Sequence, residues 1–102
     1  MRALQLIADR KLDLVDMPDP APPAADEVQV RIKAVALNHL DVWGFRGMAF
    51  AKRKLPLIVG AEASAEIAAV GDGVAGLRPG DKAVMYGAMT CGQCVACREG
   101  RD

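Results

Sequence analysis

The sequence predicts a small, mainly β domain, a partly open barrel of short strands with short helical turns. Three observations lead there. Short runs rich in valine, isoleucine and leucine recur along the 102 residues, clusters of Gly, Pro and Asp separate them, and almost no long helix is indicated.

Residues 4–7 and 11–15 read as two short strands around the polar turn Asp9-Arg10, an opening hairpin. Residues 17–26 contain four of the six prolines, which fix φ and remove backbone donors, so this stretch is expected to be an extended crossing loop. In residues 27–37, Val28, Val30 and Ile32 alternate with Gln29, Arg31 and Lys33, the two-residue period of a strand with one buried face. Residues 38–47 mix polar groups with Trp43 and Phe45 and end in Gly47, which suits one short helical turn. The alanines of residues 57–71 favour helix. The flanking glycines and the β-branched pair Ile58-Val59 favour strand, and strand is the expectation. Pro79-Gly80-Asp81 marks a turn before a last short strand at residues 82–87. The tally is five or six strands.

At 52% hydrophobic and 25% charged, the chain has the composition of one globular domain, with one modest core and about two-thirds of its unfolded surface buried. Thirteen basic residues balance thirteen acidic ones, which argues against nucleic-acid and membrane-surface partners. The apolar run at the N-terminus gives way to Asp9, Arg10 and Lys11 too soon for a signal sequence or a membrane span. The expected location is cytoplasmic.

Gly71-Asp72-Gly73-Val74-Ala75-Gly76 is a literal G-x-G-x-x-G directly after an expected strand. In a dinucleotide fingerprint those glycines open a helix whose amides hold a pyrophosphate. Here Pro79-Gly80 would stop such a helix before two turns, so the expected role is a tight connection with glycine supplying positive φ.

All three cysteines, Cys91, Cys94 and Cys97, stand at i, i+3 and i+6. Thiolates so spaced can converge on one ion. Structural zinc takes four ligands, so one position stays open for a residue beyond Asp102, a water or another molecule. A set of free thiols, or a disulfide, is the plainer alternative. Clustering at one end speaks against a disulfide scaffold and for metal chemistry in a reducing compartment.

The ordered set of Asn38-His39-Leu40-Asp41, residues 55–62, residues 70–74, Arg78-Pro79-Gly80-Asp81 and the cysteine lobe resembles the catalytic domain of the medium-chain dehydrogenase/reductase superfamily, the zinc-containing alcohol dehydrogenase-like proteins. The resemblance implies a GroES-like barrel over residues 1–102, with residues 88–102 forming an incomplete structural zinc lobe held by Cys91, Cys94 and Cys97. It implies a fourth cysteine and an NAD(P)-binding Rossmann domain in the parent protein, and hence a truncated chain without turnover of its own. Zinc-dependent members carry a cysteine where Asn38 stands, a hydroxyl residue at Leu40 and a histidine at Ala61. Neither an amide nor a methyl group replaces a thiolate or an imidazole, so no catalytic zinc is expected.

The pattern is nearest to the quinone oxidoreductase-like branch, whose members pass hydride from NADPH to quinones or activated double bonds. By resemblance Asn38, Asp41 and Glu62 are substrate-cleft candidates, with structural pairing to Arg46 or backbone amides as the alternative for the two acids. His39 beside Trp43 is expected to be a packed or surface residue. The implied small-molecule partners are a quinone, enone, aldehyde or alcohol, and a homodimer is an allowed assembly. A stand-alone metal-binding or protein-interaction module is the alternative function, and a chaperonin-like ring subunit a more remote one.

Overall fold

The computed structural model describes residues 1–48, 53–88 and 90–101. Met89 and Asp102 of the expected lobe lie outside the described residues. Six strands form two three-stranded antiparallel sheets that do not close on each other. This is the mainly β, partly open barrel that the turn signals predict.

The first sheet has the order β2-β1-β4, from β1 Arg2–Ala8, β2 Lys11–Asp16 and β4 Leu57–Ile58. The register runs from Arg2 opposite Asp16 to Leu6 opposite Leu12, then shifts between Leu6 and Ala8. Arg10 completes the turn in the left-handed region at φ 61°. Ala3 and Leu6, three residues apart and so on opposite faces of this central strand, are both buried.

The second sheet has the order β3-β5-β6, from β3 Val28–Ala36, β5 Glu62–Val70 and β6 Lys82–Val84. In β5 the buried residues are Ala63, Ala65 and Ile67, a strict alternation on one face. That alternation settles the helix-or-strand ambiguity of the alanine-rich segment. The expected single strand over 57–71 is two strands, however. Gly60, at φ +108°, breaks the extended run between β4 and β5 and sends them to different sheets.

Helix α1, His39–Phe45, follows β3, and the single turn α2, Val95–Arg98, closes the cysteine segment. The proline-rich stretch is tied down at its ends. Met1 and Met17 exchange backbone hydrogen bonds, and the Gln29 side-chain amide donates to the Pro20 carbonyl at 3.1 Å.

Two expectations about burial fail together. The β3 face that carries Val28, Val30 and Ile32 is only partly covered: Val30 is half-buried opposite Ile67, whereas Ile32 is 47% exposed. The accessible surface is 8166 Å², against roughly 5,500 Å² for a finished 10.8 kDa domain. Only about half of the unfolded surface, rather than two-thirds, is buried. The radius of gyration agrees, at 15.3 Å where about 13 Å is usual for this length. The reason is geometric: full side-chain burial is confined to Ala3, Leu6, Ala63, Ala65 and Ile67, and much of the remaining apolar sheet surface among the described residues is exposed.

Candidate metal centre and cleft residues

The cysteine segment folds around backbone-to-sulfur hydrogen bonds. Gly92 turns the chain at φ +68°, and a Cβ there would meet nothing within 4 Å, so conformation rather than space calls for glycine. The turn aims the amides of Gln93 and Cys94 at the Cys91 Sγ, at 3.4 and 3.3 Å. Cys94 caps α2, its Sγ accepting the Cys97 N–H at 3.5 Å. The three Sγ atoms lie within 4.8 Å of one another, and those of Cys91 and Cys97 are 3.8 Å apart.

This spacing fits a zinc-type ion. Four sulfurs at about 2.3 Å around a tetrahedral centre stand about 3.8 Å from each other. The donor set is right as well, since the peptide N–H groups favour the charged sulfur that a metal needs. The Gln93 and then the Cys94 amide, helped by the Cys94 and Cys97 side chains, lower the Cys91 thiol from 9.0 to about 7. The neighbouring carboxylate of Glu99 is engaged with Arg101, whose Nε donates to it at 2.8 Å. No histidine or carboxylate joins the cysteine triad among the described residues.

The three cleft candidates gather at one end of the second sheet. Ala36, the last residue of β3, pairs with Glu62, the first of β5, and Asn38 comes two residues after Ala36. The chain after β6 reaches the same end. Met85 N–H donates to the Ala63 carbonyl at 2.9 Å, and a Cβ on Gly87 would lie 3.1 Å from the Ala61 oxygen. Asp41 is committed locally: its carboxylate accepts the Asn38 N–H at 2.9 Å, the half of a capping box that an acid at the third helical position supplies. Of the two structural partners foreseen for Asp41, the backbone amide is therefore the one it takes. His39 is exposed and tilted against Trp43, with ring centroids 5.7 Å apart.

The glycine-rich segment is not a phosphate cradle. The Gly71 and Gly73 amides, which such a loop would turn toward an anion, donate instead to the carbonyls of Glu27 and Ala25, each at 2.8 Å. A Cβ on Gly71 would overlap the Ala24 carbonyl, and one on Gly73 would stand 2.9 Å from the Ala25 oxygen. Close backbone approach, not positive φ, is what these two positions require. Only Gly76 of the motif has positive φ.

A model of the alcohol dehydrogenase GroES-like domain matches residues 24–102. The chain belongs to this family.

This GroES-like domain is similar to several solved structures. An NAD-dependent alcohol dehydrogenase is 45% identical, with a TM-score of 0.87 over 100% of this chain and 30% of its own. A cobalt- and zinc-bound thermostable alcohol dehydrogenase from Pyrobaculum aerophilum is 33% identical, with a TM-score of 0.85 over 99% of this chain and 31% of its own. The Escherichia coli quinone oxidoreductase complexed with NADPH is 29% identical, with a TM-score of 0.74 over 88% of this chain and 28% of its own. The chain thus spans less than a third of the length of each. No helix among its described residues is long and apolar enough to cross a membrane.

Sequence reasoning missed one cluster in this GroES-like domain. Arg53, 19% exposed, donates from Nη2 to Asp9 Oδ1 at 2.6 Å and from Nη1 to the Gly44 carbonyl. The Arg10 amide donates to the Phe45 carbonyl at 2.6 Å, and Gly47 leaves room for the Asp9 carboxylate. Together they fasten the β1–β2 turn to the C-terminal end of α1, the helix whose other end bears Asn38 and Asp41. Its partners are 44 residues apart, with no local pattern to betray them.

Proposed function

We propose that this chain is the substrate-side domain of an NAD(P)-dependent oxidoreductase of the quinone reductase type, working without a catalytic zinc. Supporting this reading most is the end of the second sheet, where Asn38 and Glu62 share the sheet end with apolar side chains that stand exposed, Leu37 at 81% and Tyr86 at 69%. That is the shape of one wall of a cleft. The opposite wall would come from a nucleotide-binding domain, in keeping with relatives more than three times as long. A nicotinamide held there supplies the hydride.

In this proposal Asn38 offers its amide to a carbonyl oxygen of the acceptor, and Asp41 fixes the backbone from which Asn38 projects. Leu37 and Tyr86 exclude water from the acceptor. Cys91, Cys94 and Cys97 would give three sulfurs to a structural zinc, which would cross-link the lobe and take no part in hydride transfer. Asn38 and Ala61, at positions where zinc-dependent members carry ligands, give a second metal nothing to bind. The uncovered apolar surface speaks against a stand-alone module. A cytoplasmic setting suits three thiols held as metal ligands.

The test is a chimera of this chain with the nucleotide-binding domain of the 29%-identical quinone oxidoreductase. It is expected to reduce quinones or enones with NADPH, and Asn38→Ala is expected to lower kcat/KM about tenfold, the loss of one hydrogen bond in the transition state. Oxidation of a simple alcohol that chelators abolish would refute the zinc-independent assignment.

A further inference from the structure

We propose that Arg53 is the positioning residue of the cleft: its guanidinium, oriented by Asp9, sets the tilt of helix α1 and so the direction in which Asn38 meets the acceptor. This rests on the reading of Asn38 as a hydrogen-bonding group for that acceptor. Seven residues make α1 too short to hold its own shape, so what grips it decides where it lies. At its N-terminal end the Asn38 N–H donates to the Asp41 carboxylate at 2.9 Å. Its last turn carries no basic side chain. Arg53 supplies that charge from nine residues beyond Gly44, donating from Nη1 to the Gly44 carbonyl at the negative end of the helix. Arg46, at the C-cap, is exposed, whereas Arg53 is 19% exposed, so the charge of Arg53 acts through less water.

The same guanidinium serves a second acceptor. Nη2 donates to Asp9 Oδ1 at 2.6 Å, a charge-assisted bond to the β1–β2 turn. Gly47 makes room for it, since a Cβ there would stand 2.5 Å from Asp9 Oδ2. The Arg10 N–H, next along the turn, donates to the Phe45 carbonyl at 2.6 Å. Asp9 follows β1 and Arg53 stands ahead of β4, both strands of the first sheet, whereas α1 continues from β3 of the second. The two sheets share no strand pairing, so this polar junction sets where α1 lies relative to the first sheet. Strand β3 delivers the backbone to Asn38, and α1 then fixes the direction in which the amide projects. A misplacement of about 1 Å in a substrate-positioning group costs a large factor in rate. A planar fork reaches two acceptors in different elements at once, which a lysine ammonium does not reproduce.

The experiment compares the dilute chain with Arg53→Met, Arg53→Lys and Asp9→Ala by amide hydrogen exchange and side-chain NMR, with Trp43, the only tryptophan, reporting α1 through its fluorescence anisotropy. In Arg53→Met the Arg46 N–H, which donates to the Val42 carbonyl at the end of α1, should exchange about tenfold faster, the Trp43 anisotropy should fall and the Asn38 side-chain amide signals should shift. The Ile67 N–H, bonded to the Asp81 carbonyl in the second sheet, should keep its rate. Arg53→Lys should not restore the Asn38 signals, and Asp9→Ala, which leaves the Gly44 bond in place, should shift them less. Asn38 signals that stay put in Arg53→Met or Asp9→Ala, equal acceleration at Ile67, or full rescue by lysine would overturn the proposal. In a chimera with the quinone oxidoreductase nucleotide-binding domain, Arg53→Met should lower kcat/KM for the quinone about tenfold and leave the KM for NADPH unchanged. A chimera inactive with Arg53 intact refutes the oxidoreductase reading, while the exchange rates and Asn38 signals still decide the positioning. An active chimera indifferent to Arg53→Met overturns this inference alone.

Discussion

Peptide amides set the chemistry of Cys91. The Gln93 N–H contributes most, then that of Cys94, then the two neighbouring sulfurs, and they bring the thiol to about 7. The folded value lies below the ordinary 9.0, so the associated stabilisation of the lobe is full above pH 9.0 and is lost as pH falls through about 7. Because the thiolate is the nucleophile, alkylation of Cys91 should rise with a midpoint near pH 7. Peptide mapping after short pulses of iodoacetamide gives the profile, and a midpoint near 9.0 would show that the amides do not reach this sulfur. The i, i+3, i+6 spacing made the triad legible in the sequence. The donor directions were not, because they depend on the φ of Gly92.

Strands and connectors show where local pattern suffices. The hairpin, β3, α1 and β6 stand close to where alternation, the turn residues and the closing Gly47 place them, whereas the Asn38–Asp41 capping box shows only in the structure. Residues 57–71 were harder to read, since composition gives the strand but not the break at Gly60 that divides it between sheets. The glycine motif shows the same limit from the other side. Pro79-Gly80 excludes a nucleotide helix, but only the fold brings the Ala24-Ala25 backbone against Gly71 and Gly73. Gly71→Ala is therefore expected to destabilise by about 1–3 kcal/mol through overpacking against a carbonyl. Gly76→Ala, in open space at φ +83°, should cost only about 1 kcal/mol. Thermal melts of both variants check the order, and equal losses would mean that the close approach at Gly71 is relaxed in solution. Arg53 fastens α1 to the hairpin in a way that no local pattern announces.

As a whole the molecule exposes too much. Roughly 2,600 Å² of surface beyond that of a finished domain of this mass is on the scale of one side of a large obligate interface. The excess is apolar at Ile32, Leu37, Val84 and Tyr86 on and beside the second sheet. Alternation in β3 showed which residues share a face, but it could not show whether anything covers that face. The isolated chain is expected to bind a hydrophobic dye such as anilinonaphthalene sulfonate and to self-associate as its concentration rises. Val84→Lys, on the 81%-exposed edge position, should reduce both, as dye titration and sedimentation would show. A dye-silent monomer would mean that the sheet faces are covered by a rearrangement of the chain itself.

In the proposed function this domain shapes an acceptor site and leaves the coenzyme to another domain, its glycine-rich amides being spent on Glu27 and Ala25. Calorimetric titration of NADPH into the pure chain tests this most directly. No saturable heat is predicted, whereas stoichiometric uptake would contradict the claim.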